Sequence, residues 1–169
     1  MRIVIFFILL SISLTSCQEF YNQPKIREHI GKDTADISKF VHQTNKYKLF
    51  VDSIKNELKS IQLDIYESTE SGIKTLFYNQ TDTLKKEIIY YGETGKRIVA
   101  TYQEEGLPIL IEDTEIKYKN PICTDSNVEY MDSITNVYYL KNKKLVYWIK
   151  NAKIMPQLQY EMQEKNIVK

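Results

Sequence analysis

Residues 73–118 read IKTLFYNQTDTLKKEIIYYGETGKRIVATYQEEGLPILIEDTEIKY, and this stretch decides the fold of the chain. Apolar and polar residues alternate along it with a period of two, which is typical of β-strands that bury one face. Turn signals interrupt the alternation at NQTD (79–82), GETG (92–95) and EEG (104–106). Because these links are short, consecutive strands become neighbours, and the stretch predicts an antiparallel meander.

The segments on either side complete this prediction. NVYYL at 136–140 and LVYWI at 145–149 flank KNKK at 141–144 and predict one more hairpin. Upstream, DTAD at 33–36 offers N-cap oxygens, and apolar residues then recur at helical spacing as far as Ile61. QLDIY at 62–66 fits either the end of this helix or a strand, and the tail from Pro156 predicts a short helix.

The predicted fold class is therefore α+β. A long N-terminal amphipathic helix is expected to pack on an antiparallel meander of about five to six strands, followed by a short C-terminal helix. The helix is the only long element available to cover the apolar face of the sheet, so we place it there.

The first residues, MRIVIFFILLSISLTSC at 1–17, predict a lipoprotein export signal. One cation, Arg2, precedes twelve residues (3–14) that would span roughly 18 Å, whereas a bilayer core is about 30 Å thick. Small residues then lead to Cys17. We expect a signal peptide over 1–16, lipidation of Cys17 and a tether over 17–33. A single α+β domain over 34–169 would follow, with the membrane as a partner through the acyl chains. An ordinary secretory signal and an uncleaved anchor are the alternatives.

Charge and cysteine count exclude some classes of partner. Loss of Arg2 with the signal reduces the 23 basic residues to 22, equal to the 22 acidic residues. A neutral chain gives no electrostatic reason to bind nucleic acid or anionic lipid. With Cys17 lipidated, Cys123 has no intramolecular partner and is interpreted as a buried or tolerated thiol, the alternative being an intermolecular bridge.

Motifs in the strands resemble those of a known group of proteins. LKKEI at 84–88, GETGK at 92–96, VYYL at 137–140 and LVYW at 145–148 are similar to motifs of small lipoproteins of unknown function that are widespread in Bacteroidota. The resemblance implies a lipobox, a long helix and tyrosine-rich strands, and it carries over no functional residue. It also implies O-glycosylation in short Asp-Ser/Thr-apolar motifs, for which Thr34 and Thr83 are candidates. The absence of Asp after Cys17 implies the outer membrane of the cell envelope, with the face left open.

No catalytic or metal-binding pattern is present in the sequence. His29 and His42 are the only histidines, and neither has a second His or a Cys at metal-ligand spacing. The acidic residues at 112–115 and 125–132 lack the spacing of a calcium loop. We therefore expect neither a metal nor a cofactor, and a binding module rather than an enzyme. An envelope hydrolase that uses acidic residues and an inhibitor or immunity-type module for a secreted enzyme are the alternatives.

Aromatic residues are the favoured interaction surface. Adjacent residues of a strand point to opposite faces, so one tyrosine of each doublet faces away from the helix. There it would contact an envelope protein or a glycan; the competing interpretation is cross-strand pairing that binds nothing. The lysines at 141–144 are interpreted as blunting a hairpin rather than binding phosphate. The predicted surface consists of Tyr78, Tyr91, Tyr102, Tyr138, Tyr147 and Trp148.

Overall fold

The structure, a computed structural model, describes residues 25–66, 71–80, 82–122 and 129–167. The chain divides into two units, Met1–Ser38 and Lys39–Lys169. Helix α1 (Lys25–Ile54) begins in the first unit and ends in the second, and all other elements belong to the second unit. The signal segment, Cys17 and Cys123 lie outside the described residues, so their predicted roles stay predictions.

A single antiparallel sheet of eight strands dominates the second unit, and its strands follow one another in sequence order. A 3-10 helix (Lys55–Glu57) joins α1 to the sheet, and a second one (Gln157–Gln159) leads into helix α2 (Tyr160–Ile167). The strands are β1 (Lys59–Ile65), β2 (Gly72–Asn79), β3 (Asp82–Gly92), β4 (Gly95–Glu104), β5 (Leu107–Tyr118), β6 (Tyr130–Lys141), β7 (Lys144–Lys150) and β8 (Lys153–Ile154).

Local turn chemistry makes these tight connections. The β6–β7 turn places Asn142 and Lys143 at φ of 52° and 65°, the left-handed pair that matches the twist of a two-residue hairpin. In the β3–β4 hairpin, Gly95 lies so close to β5 that a Cβ atom would sit 2.3 Å from the carbonyl oxygen of Ile116. Only glycine allows that approach.

One side of the sheet, here called the α1 face, is covered by the second half of α1. Val51 is fully buried there against Tyr102, Leu110 and Tyr139. The Tyr139 hydroxyl donates to Asn45 Oδ1 at 3.0 Å, which fixes the helix over the middle strands. The apolar stripe of the helix is thus buried against alternate residues of three strands.

A cluster of charged groups lies between α1 and this face. Lys85 Nζ donates to Asp52 Oδ1 at 2.9 Å, and the Tyr102 hydroxyl donates to the same carboxylate at 2.9 and 3.0 Å. Burial acts to raise the pKa of Asp52, but these two hydrogen bonds and the charges of Lys85 and Lys48 together lower that pKa below its ordinary value. Since the Lys85 side chain is only 7% exposed, the carboxylate is its required partner.

The opposite side, here called the α2 face, carries the second helix. Ile111, Tyr138 and Trp148 form its buried cluster, and Tyr160 of α2 packs on it with its ring 6.5 Å from that of Trp148. The Glu164 carboxylate accepts a 2.8 Å hydrogen bond from the backbone N–H of Leu145, which attaches the helix to β7. Apolar residues of both faces are therefore buried, each against a different helix.

The predicted fold class is wrong in the size of the sheet and in how it is covered. The sheet has eight strands instead of five to six, and α2 packs on the face opposite α1, where the interaction surface was predicted. Of residues 62–66, left undecided between helix and strand, 62–65 belong to β1, an edge strand exposed on both sides whose periodic signal is correspondingly weak. Strand β8 has two residues, too few to give any periodic signal.

The predicted bounds of two elements also shift. The residues at 33–36 that were expected to cap a helix lie inside α1, which begins at Lys25. Strand β6 begins at Tyr130, six residues before the strand predicted at 136–140, because its pairing with β5 continues to Tyr118. No helix in the described part of the chain has the length and apolarity needed to span a membrane.

Candidate functional site

A cleft of about 470 Å³ lies on the α2 face, between the middle strands and α2. We call it the basic cleft. Its volume falls within the range of roughly 300–1,000 Å³ that is usual for small-molecule sites. The residues that line it are Lys86, Ile88, Arg97, Val99, Thr101, Gln103, Gly106, Pro108, Ile111, Asp113, Tyr138, Lys143, Gln163, Asn166 and Ile167.

The register of the strands determines which residues form the floor of this cleft. Lys86 lies opposite Thr101, Thr101 opposite Ile111, and Ile111 opposite Tyr138, so these four residues form one row across β3 to β6. With strands about 4.8 Å apart, the Cα atoms at the two ends of the row are separated by roughly 14 Å. Hydrogen-bonding side chains thus stand at both ends of the row, with Thr101 and Ile111 between them.

The charges of the cleft are unequal. Three cations line it (Lys86, Arg97 and Lys143), and Asp113 is the one acidic residue among its lining residues. Arg97 binds that carboxylate in bidentate fashion, with Nε and Nη2 each 2.8 Å from an oxygen. The hydrogen bond from Arg97 to Asp113 raises the pKa of Arg97 despite burial. Asp113 is therefore already neutralised, and the described lining contains no other acidic residue to offset Lys86 and Lys143.

Lys86 is the most unusual of these cations. It is half-buried on β3, and no carboxylate lies within ion-pair distance of it among the residues that the structure describes. Burial lowers the pKa of Lys86, and the nearby charge of Lys74 lowers it further. An ammonium group without an acidic partner lowers the stability of the fold, and such groups cluster at binding sites.

Tyr138 offers a second donor. The amide Nε2 of Gln163 donates to the Tyr138 hydroxyl at 2.7 Å, and the described residues supply no acceptor for the hydroxyl's own proton. Burial and then the charge of Asp113 raise the pKa of Tyr138 to about 12, so the group keeps this proton at neutral pH. The cleft therefore contains a buried O–H donor that is already oriented by α2.

The six aromatic residues predicted as an interaction surface do not form one. Tyr102 and Tyr147 belong to the α1 face, Tyr138 and Trp148 belong to the α2 face, and Tyr102, Tyr138 and Trp148 are buried. Tyr147 and Tyr78 are half-buried, Tyr147 with its ring 5.6 Å from that of Tyr139. Only Tyr91, 41% exposed, presents a large open surface. The reason is that a helix covers each face of the sheet. Because Tyr138 and Tyr139 point to opposite faces, both of them are buried.

Tyr91 instead belongs to a corner of aromatic residues that the sequence did not indicate. The rings of Tyr118 and Tyr130 are 5.9 Å apart, and Lys96 Nζ lies 5.8 Å from the Tyr130 ring centroid. Tyr91, Lys96, Tyr118 and Met131 border a wider hollow of about 670 Å³ near the β3–β4 hairpin. Tyr130 and Met131 lie on β6 ahead of the strand predicted at 136–140, so the sequence did not predict their position on a strand.

Apart from Tyr138, the residues of the basic cleft were not predicted as site residues, although one signal was available. In the segment LKKEI, a period of two places Lys86 on the same side as Ile88, an apolar position. A lysine at such a position has an acid or a ligand as its partner, or it extends its ammonium group to water along the apolar surface. The contribution of Gln163 had no such signal, because it depends on where α2 docks.

The predicted glycosylation candidates lie in different elements. Thr34 is exposed within α1, and Thr83 is half-buried on β3 opposite Tyr78. Their modification stays a prediction. In the part of the chain that the structure describes, no group of three or more His, Cys, Asp or Glu residues is arranged to hold a metal ion.

The comparisons with known proteins give no family for this arrangement. No family model, no curated protein and no solved structure matches the chain.

Proposed function

We propose that this chain is a non-enzymatic binding module of the cell envelope, held to a membrane by acyl chains on Cys17, and that its ligand site is the basic cleft. The single observation that carries the proposal is the cleft itself. It combines a volume of about 470 Å³, an apolar floor and polar groups at both ends of one strand row. Small-molecule sites combine apolar surface with convergent polar groups, and nine polar and five apolar side chains line this cleft.

The construction of the cleft supports binding without large rearrangement. Val99 and Ile111 of its floor belong to neighbouring central strands, which are fixed by backbone pairing on both sides. The α2 side is attached through Glu164 and Gln163. A ligand that enters such a preformed site loses little affinity to ordering of the protein.

The hydrolase alternative finds little support at this site. Hydrolysis by paired carboxylates needs two acidic groups on either side of the scissile bond. Asp113 is the one acid that lines the cleft, and it is bound by Arg97 through both oxygens. The inhibitor or immunity-type alternative needs an exposed contact surface, and no observation favours it over a cleft ligand.

The test uses the neutral dye N-phenyl-1-naphthylamine, whose fluorescence rises in an apolar site. We expect binding by the wild-type protein and loss of binding in Val99→Trp, because the indole would fill the floor of the cleft. Ile98→Trp is the matched control, since Ile98 is adjacent on β4 but lies on the α1 face. Equal binding by both variants, or no binding by the wild type, would contradict the assignment of the site.

Anchoring is tested separately. Expression with an alkyne-labelled fatty acid should label the wild-type protein, and Cys17→Ala should remain unlabelled and be released from membranes. If the variant is still labelled, Cys17 is not the lipidated residue. That result would not affect the assignment of the ligand site to the basic cleft.

A further inference from the structure

We infer that the ligand of the basic cleft is a single-chain anionic amphiphile, with its carboxylate or phosphate group bound by Lys86 and its apolar body lying over Ile88, Val99 and Ile111. This inference rests on the proposed function, and it adds the chemical class of the ligand. Three observations support it: the position of Lys86, the excess of positive charge in the cleft, and the apolar residues Ile88, Val99 and Ile111 of the floor.

Lys86 provides the first step. Its neighbours in the strand register are Leu76 on β2 and Thr101 on β4, neither of which can neutralise an ammonium group. The nearest charged residue on β2 that shares the face of Lys86 is Lys74. It pairs with Ile88 and therefore stands diagonal to Lys86. Two half-buried amines side by side attract an anion more strongly than either does alone.

Lys143 provides the second step. It occupies the β6–β7 turn at φ of 65°, a conformation that favours glycine, and its side chain lines the cleft. A lysine at this position places a third cation at the cleft, at the expense of some backbone strain. Asp113 does not offset it, because Arg97 already occupies both carboxylate oxygens.

Apolar residues define the rest of the ligand. Ile88, Val99 and Ile111 line the floor on three adjacent strands, and Ile167 of α2 faces the same space. A free phosphate or other small inorganic anion would leave this floor in contact with water, whereas an alkyl or aryl group would cover it. At the other end of the row, the Tyr138 hydroxyl proton is available to a second polar atom of the ligand.

The experiment compares three probes that share an eight-carbon chain: octanoate, 1-octanol and octyltrimethylammonium. Affinity is measured by isothermal titration and, independently, by the fluorescence of Trp148, the single tryptophan, whose ring lies 5.7 Å from that of Tyr138. We expect octanoate to bind at least tenfold more tightly than octanol, and octyltrimethylammonium to bind least. Octyl phosphate should behave as octanoate does.

Variants assign the preference to a residue. Lys86→Met should reduce octanoate affinity at least tenfold and leave octanol affinity unchanged, whereas Lys153→Met, at an exposed position on β8, should change neither. Equal affinity for all three probes would overturn the anionic class while leaving the binding module intact. Failure of every probe to bind would overturn the proposed function as well. The unlipidated protein is also sedimented with vesicles. If it sediments with vesicles that contain phosphatidylglycerol but not with neutral vesicles, the anion site binds a bilayer headgroup, and the inference of a single-chain ligand is overturned.

Discussion

Replacing Lys86 by methionine should make the fold more stable, although it removes the residue that we assign to ligand binding. Lys86 and Lys74 are diagonal neighbours across β2 and β3, and such residues lie roughly 7–8 Å apart. At about 7 Å, two unit charges repel by roughly 0.6 kcal/mol in water and by about 2.4 kcal/mol at an effective dielectric constant of about 20. Because both side chains are only half-buried, we take a value near the lower end, about 1 kcal/mol.

Methionine retains the length of the side chain and does not carry its charge, so the variant relieves repulsion and leaves packing largely in place. We therefore expect the free energy of unfolding to rise by about 0.5–1 kcal/mol. For a chain of this size, that corresponds to an increase in melting temperature of roughly 1–4 °C. Urea titration followed by Trp148 fluorescence measures the free energy, with Lys153→Met as the control that should stay within about 0.5 kcal/mol of wild type.

The opposite result would refute this reasoning. If Lys86→Met lowers the free energy of unfolding by more than about 0.5 kcal/mol, Lys86 has a stabilising partner in the folded protein and its charge is not available for a ligand. If the variant is more stable and also fails to bind octanoate, the charge of Lys86 lowers the stability of the fold and is needed for ligand binding.

Three other outcomes follow from contacts outside the cleft. Asp52→Asn should reduce the free energy of unfolding by about 2 kcal/mol in urea titration, because it leaves the Lys85 ammonium with one weaker partner in a nearly buried position. Since the pKa of Asp52 is lower in the folded protein than its ordinary value, its ion pair contributes stability at neutral pH that is lost as pH falls below about 4. Urea midpoints measured from pH 7 to pH 3 should therefore fall less steeply in Asp52→Asn than in wild type. Gly95→Ala should destabilise the fold by roughly 1–3 kcal/mol, since its methyl group would collide with the carbonyl oxygen of Ile116; an unchanged melting temperature would refute that close contact.

The sequence indicated the middle of the sheet well, because the strands there have strong alternation and short turns between them. Its edges were harder to predict. Strand β1 is exposed on both sides, so tertiary pairing with β2 determines its conformation rather than any apolar pattern of its own. The two residues of β8 depend on a turn in which Asn151 and Ala152 adopt φ of 47° and 62°, and alanine gives no warning of such a turn.

The functional residues were less predictable than the fold, and the tyrosines show why. Aromatic doublets indicate that side chains point to both faces of a sheet, but they do not show that a helix covers each face. Tyr138, interpreted as an exposed contact, is 2% exposed, and its hydroxyl oxygen accepts a hydrogen bond from Gln163 of α2. Lys86 carried the more informative signal, because a charged residue stood at an apolar position of the alternation.

Mapping of the bound probe by nuclear magnetic resonance tests the central claim most directly. Octanoate is titrated into uniformly ¹⁵N-labelled protein, and changes in backbone amide shifts are followed. If octanoate binds in the basic cleft, we expect the largest changes at four of its lining residues, Lys86, Val99, Ile111 and Gln163. Changes confined to the aromatic corner around Tyr91, or scattered over the surface without saturation, would contradict it.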